Sequence, residues 1–407
     1  MTDDSWAGIA YAGLSDPQKQ FLIDIIQDSD RNFLLRGCAG SGKTVVAAHA
    51  IRILRKEHEK SVRLLVYTKL LSKFINDGFK DIGSEIENVE HFHSWRPNFD
   101  DKVDIIIVDE SQDFQADWIS KVKAFSQNQI WLGDASQQIY ADSKSDDGFR
   151  SINNELVSSN QSELTTNYRN SISIAQLAKS FIHTNEFDKR AGITQQEKIN
   201  AFIKPIASNE RQTSGARNQP NIFIEAGSDA EEYDALAKII KDIQNSQEQS
   251  KQIAIAQLRH DHLDVIEYEL KNRGVKFLRI PKNKDITELP NFDHRELTIL
   301  SPIHSLKGLE FDYIFFPRSE TSKIGFWEEK EINDNLMFVL FSRAKTRIFC
   351  SYVNKNDSYI YNAISSDINN DFFQFVTSKD IIGAEIPKKS NENAENQVKE
   401  YFKDMDL

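Results

Sequence analysis

The stretch RGCAGSGKTVV, Arg36 to Val46, constrains this chain more than any other feature. Its core, Gly37-x4-Gly42-Lys43-Thr44, has the spacing of a phosphate-binding loop. Glycines let backbone N–H groups turn inward around phosphate oxygens, and a helix that starts at the lysine adds its positive end. The flanks agree. NFLLRG (Asn32 to Gly37) reads as a short buried strand, and Lys43 to Lys60 as a helix with Val46, Ala50, Ile53 and Leu54 on one face. The loop residues Gly37, Gly40, Ser41, Gly42, Lys43 and Thr44 are therefore candidates for binding a nucleotide, expected to be ATP. Lys43 is placed to reach the β and γ oxygens, and the Thr44 hydroxyl to ligate Mg²⁺.

IIIVDESQDF, Ile105 to Phe114, supplies a second half to such a site. An apolar strand that ends in two carboxylates can give one, Asp109, to the metal and leave the other, Glu110, to activate water. That division of labour is what hydrolysis requires.

The remaining sequence alternates strand and helix. VRLLVYT at Val62, VDIIIVDE at Val103 and QIWLGD at Gln129 are apolar, β-branched runs with helical segments between them. A second block follows Tyr168, with NIFIEA at Asn221, QIAIAQL at Gln252, VKFLRI at Val275, ELTILSPIHS at Glu296 and YIFFP at Tyr313. Two α/β domains with mainly parallel sheets are expected, over residues 1–160 and 161–384, followed by a polar tail, 385–407. The polar stretch from Gly192 to Pro220 reads as a surface excursion of the second domain.

A chain of 407 residues is long enough for two domains that fold without disulfides or metal. It has only two cysteines, Cys38 and Cys350, and no leader or apolar run of membrane-spanning length, so a cytoplasmic protein with no membrane partner is expected. The formal net charge of −12 argues against a protein that coats nucleic acid, yet leaves room for a local groove. Basic residues outnumber acidic ones between Arg52 and Lys80, which could belong to such a groove, although on charge alone a solvated helix face is the favoured reading.

Taken together and in order, these motifs resemble the superfamily 1 motor ATPases of the UvrD/Rep helicase type. LSDPQKQFL (Leu14 to Leu22) is similar to the N-terminal glutamine motif, which makes Gln18 an adenine reader. LVYTKLLSKFI (Leu65 to Ile75) and HFHSW (His91 to Trp95) resemble motifs that line a single-strand track, implying Thr68, Lys69, His93 and Ser94 as nucleic-acid contacts. WLGDASQQIY (Trp131 to Tyr140) resembles the motif linking nucleotide state to the strand, with Gln137 near the γ-phosphate and Tyr140 on the strand. LTTNYRNS (Leu164 to Ser171) is similar to the motif whose tyrosine stacks on the base and whose arginine touches the γ-phosphate, here Tyr168 and Arg169.

SPIHSLKGLEFDYIFF (Ser301 to Phe316) is similar to the motif in which Gly308 and Glu310 meet the nucleotide while Ser305 and Lys307 touch the strand. LMFVLFSRAKTRI (Leu336 to Ile348) resembles the closing motif, making Arg343 the finger that completes the site across the cleft. The resemblance implies two RecA-like P-loop NTPase domains with ATP hydrolysed between them. It implies a single-strand DNA translocase or helicase of 3′ to 5′ polarity.

The chain departs from that family's pattern in three places. Val45 stands where an arginine often lies along the adenine, and ADSKSDDG (Ala141 to Gly148) stands where a tryptophan and an arginine usually hold the strand. The gaps from Trp95 to Asp104 and from Arg279 to Glu296 are too short for the large inserted subdomains of the family. A bare two-domain motor is expected, with a partner protein supplying duplex contacts. The reading from a different class is a nucleotide-driven regulatory subunit that delivers its switch to a protein without tracking along DNA. Two other spellings carry less. HFH and HDH (His260 to His262) lack partners at ligand spacing, and ELK (Glu269 to Lys271) falls in an amphipathic helix with Leu263, Ile266 and Leu270.

Overall fold

In a computed structural model of the chain, the described residues are 11–81, 89–92, 94–97, 102–134, 152, 154–156, 160–184, 194–203, 219–246, 251–281, 289, 296–324, 330–364 and 371–383. Strands β1 (Phe33–Gly37), β2 (Val62–Val66), β3 (Val89–His91), β4 (Val103–Val108), β5 (Ser126–Gly133) and β6 (Gln161–Leu164) form one sheet in the order β3-β2-β4-β5-β1-β6. A second sheet has the order β13-β7-β12-β11-β8-β10-β9. Its strands are β7 (Asn221–Glu225), β8 (Lys251–Gln257), β9 (Leu278–Arg279), β10 (Glu296–Pro302), β11 (Phe311–Phe316), β12 (Ala344–Tyr352) and β13 (Phe373–Thr377). Every pairing in both sheets is parallel.

Parallel strands buried on both faces need apolar side chains at successive positions, since alternate residues enter opposite cores. VDIIIV does this: Ile105 and Ile107 join the core under helices Asp16–Gln27 and Lys43–Glu57, while Ile106 and Val108 join Trp131, Trp95 and helix Ala116–Phe125 on the other side. The second sheet repeats the arrangement. Ile253, Ile255 and Phe315 pack under helices Asp229–Asn245 and His260–Asn272, and Ala254, Ile314 and Phe316 face helices Ile172–Ala178 and Lys330–Phe341. One apolar cluster continues from the first domain through Leu71, Leu306 and Leu309 into the second.

The first sheet includes a strand that follows residue 160. Strand β6 hydrogen-bonds alongside β1, from Leu34↔Gln161 to Gly37↔Leu164, so the first sheet runs beyond Asn160. The chain crosses to the second domain between Leu164 and Ile172. Within the excursion, Gln195–Ile203 is a helix, and Phe202 packs edge-on against Phe338 at 5.1 Å between ring centroids. Residues 204–218 and the tail from 384 lie outside the described residues. Among the described residues no helix is long and apolar enough to cross a membrane.

Candidate functional site

The loop, the acidic pair and the expected strand track share the C-terminal edge of the first sheet. Register aligns Arg36 with Gly133 and Val108 with Trp131, so β1, β4 and β5 finish together and deliver their following residues to one crevice. The nucleotide motifs follow β1 and β4. The strand motifs follow β2 and β3, on the far side of the same edge.

At the loop, Lys43 Nζ donates to the Gly37 carbonyl at 2.7 Å and to that of Cys38 at 3.3 Å. The ammonium therefore lies within the turn that would wrap a phosphate. Thr44 Oγ1, in the first turn of its helix, donates to Asp109 Oδ2 at 2.7 Å, and Asp109 Oδ1 accepts the Glu110 N–H at 2.9 Å. Ser41 Oγ is buried and hydrogen-bonds to no described group, leaving a hydroxyl inside the loop to meet a ligand. Burial pushes the Cys38 thiol up to about 12, with Asp134 adding to the effect, so it is no nucleophile at neutral pH.

Gln18 stands where it supports the loop. Its side-chain N–H donates to the Ser41 carbonyl at 2.9 Å and its oxygen accepts the Ser15 N–H at 2.9 Å, closing the capping box of helix Asp16–Gln27. Both ends of the amide are engaged by protein, and adenine reading would require it to exchange a partner.

Glu110 is a non-glycine residue in the left-handed region, φ 56°, a strained conformation of the kind found at functional sites. The turn after it, Ser111–Asp113, is buried and polar. Gln112 bridges it to β5: its Nε2 donates to Glu110 Oε2 at 2.6 Å and its Oε1 accepts the Asp134 N–H at 3.0 Å. Burial alone would raise Glu110, but Lys307, Arg343 and Lys43 outweigh it and hold the carboxylate ionised well below its usual range. Asp109 moves the other way, raised by burial and by the charge of Glu110.

The second domain closes on this edge through the crossing segment. Tyr168, half-buried, donates its N–H to the Gly40 carbonyl at 2.9 Å. Gly40 has φ +74°, and a side chain there would collide with Asn167 and Arg169. Arg169 donates to Glu310 Oε1 at 2.5 Å and to the Ser342 carbonyl at 3.0 Å. Burial raises Glu310, but Arg169 and Lys345 together hold it below the usual carboxylate range. Arg343 is fully buried, lowered to about 10 by burial and then by Arg169, and so stays cationic near neutrality; its field reaches Glu110 and Glu310.

Among the residues expected on the strand track, Lys69 and Ser94 are exposed and Ser305 half-buried, while Thr68 Oγ1 is turned inward to the Lys307 carbonyl at 3.3 Å. Lys307 departs most from expectation. Its side chain is 0% exposed, hydrogen-bonds to Asp113 and lies 3.9 Å from Glu110 Oε2. Its ammonium therefore lies with the carboxylates that follow β4 and not on an open face, since leaving them would strip both acids of a counter-charge. Gln137, His93 and Tyr140 lie outside the described residues. Gln112, Asn167 and Asn170 had no assigned role in the sequence reading, although the polar residues of SQD so close behind the apolar run IIIV are a signal that they line something.

Residues 13–200 match the family model of an AAA domain. The AAA match takes in the loop, the acidic pair, Gln112 and the crossing segment with Tyr168 and Arg169. No curated protein matches the chain. Among solved structures, S. cerevisiae Dbp5 bound to RNA and ADP BeF3 shares the fold at 12% identity and a TM-score of 0.54, with 98% of this chain and 95% of that chain covered. The two domains are therefore RecA-like, and the AAA match occupies the first and the start of the second. The C-terminal domain of a possible DNA helicase from Lactobacillus plantarum WCFS1 aligns at 14% identity and a TM-score of 0.32, over 51% of this chain and 98% of that chain.

Proposed function

We propose that the chain is an ATPase of the helicase type, hydrolysing ATP between its two domains and working as a single-strand DNA translocase. The observation that carries this reading is the meeting of Arg169 in the crossing segment, and Glu310 and Arg343 beyond it, with the loop and carboxylates of the first sheet. Arginines brought across a cleft stabilise charge on a transferring phosphate, so hydrolysis and release change how tightly the domains close. Closure is the motion a translocase exports.

Within this reading Lys43 leaves the Gly37 and Cys38 carbonyls for phosphate oxygens, and Glu110, held ionised, accepts a proton from the attacking water. Thr44 and Asp109 are neighbouring hard oxygen ligands suited to Mg²⁺, and a charge there would offset the cost that raises Asp109. When bound, Mg²⁺ would supply charge neutralisation on the phosphates. Dbp5, seen with RNA and a nucleotide analogue on the same fold, is consistent with nucleic acid as the second ligand; the motif resemblance favours DNA and 3′ to 5′ polarity.

The regulatory-subunit reading draws support from the net charge of −12 and the aspartates after Tyr140. The test is ATP turnover measured with single-stranded DNA, RNA and duplex in parallel. Stimulation by single-stranded DNA of at least several-fold is expected; turnover indifferent to every nucleic acid would move the assignment to the regulatory subunit.

A further inference from the structure

We propose that Lys307 makes hydrolysis conditional on domain closure, as a positioning residue that the second domain inserts beside Glu110. The inference rests on the ATPase reading above and reassigns a residue that resemblance places on the strand track.

The segment carrying Lys307 is gripped by the first domain at three points. It follows the turn Ile303–Leu306, and its carbonyl accepts from Thr68 Oγ1 at 3.3 Å. Next to it Gly308, at φ +86°, approaches Leu71 so closely that any side chain would collide with it. The ammonium itself is hydrogen-bonded to Asp113, whose side chain is also 0% exposed, and stands 3.9 Å from Glu110 Oε2.

That oxygen already accepts from Gln112, so the carboxylate is located by the first domain's own amide and by the second domain's cation together. Parting the domains withdraws this cation and leaves Glu110 to the groups of its own domain. Lys307 thus ties the aim of the expected base to closure. Because its backbone is fixed to Thr68, anything that shifts the expected track also shifts the ammonium.

A structural ion pair is the alternative, and the chemistry separates the two. Replacing a buried pair by apolar groups commonly restores stability, whereas it cannot restore a charge beside Glu110. The experiment compares the full chain with Lys307→Met and with the double variant Lys307→Met/Asp113→Leu, measuring melting temperature, nucleotide affinity, kcat and single-strand affinity. Lys307→Met is expected to lower kcat about 100-fold with nucleotide affinity within about threefold of the parent. The double variant is expected to recover the melting temperature and not the turnover.

Recovery of kcat in the double variant would overturn the proposal, because Lys307 would then only neutralise Asp113. Parental kcat with lost strand affinity in Lys307→Met would overturn it too, returning the residue to the track. A parent chain with no ATPase activity would instead remove the proposed function itself, an outcome distinct from an active parent with an equally active Lys307→Met.

Discussion

Glu110 and Lys43 occupy neighbouring places with different demands. Lys43 rests on two carbonyls of its own loop, and the contact proposed for it with phosphate is one of the bound ground state. Glu110 is the proposed base, and Gln112 holds its carboxylate. In Glu110→Gln the new amide oxygen can still accept from Gln112, so the variant removes charge and basicity while keeping the geometry. Lys43→Ala is expected to weaken ATP binding, and Glu110→Gln to keep binding while lowering turnover by about 10²- to 10⁴-fold. Equilibrium nucleotide binding beside single-turnover hydrolysis checks both; parental turnover in Glu110→Gln would show that another group is the base. The motifs that carry these residues were legible because each is short: glycines, lysine and threonine adjoin, and an acidic pair ends an apolar strand. Lys307 was not legible in the same way. Its partner Asp113 is 194 positions away, and no local pattern announces a pairing between segments so far apart.

At the scale of elements, legibility followed burial. Strand β4 stands out as VDIIIV because both its faces are covered, whereas β6, QSEL, is a polar edge strand and β3 is three residues long. Neither makes an apolar run, so neither could be read from hydrophobicity, and the domain boundary drawn before β6 followed from that. Strand β12 was hidden for another reason: its start, AKTRI, mixes charge with apolar residues where it meets the crossing segment. There the Asn170 amide donates to the Ser342 and Ala344 carbonyls at 3.0 and 2.6 Å while accepting from Asn167 at 2.9 Å. Asn170→Ala removes these links between the crossing segment and β12. The loss of buried hydrogen bonds is expected to cost about 1–3 kcal/mol, read as a lower denaturation midpoint in urea. It should also reduce turnover, because Arg169 is placed by the same segment; an unchanged midpoint would show that the link is replaced by solvent.

At the scale of the molecule, the two RecA-like domains leave little else: the similar fold of Dbp5 covers 98% of this chain. The family resemblance implies that large inserted subdomains contact the duplex ahead of a helicase motor, and the gaps where they would sit are too short to hold them. Under the proposed translocase reading, a chain without those insertions would step along a strand without their grip on a duplex. Opening base pairs costs on the order of 1.4 kcal/mol per step in stacking alone, and a motor that slips cannot apply that work repeatedly. Slipping is favoured by Ala141 and Asp142, which stand where an aromatic platform and a cation would hold the strand, and by a net charge of −12 that repels phosphate. Attraction then rests on a few local cations such as the exposed Lys69, and such binding weakens as salt rises because releasing counterions into a saltier solution gains less entropy. The purified chain is accordingly expected to show DNA-stimulated ATPase at low salt and little processive unwinding, with robust unwinding only when a partner protein adds duplex or strand contacts. A strand-displacement assay on a long tailed duplex at physiological salt checks this. Efficient unwinding by the isolated chain would mean that the two domains hold the strand by contacts other than the missing platform.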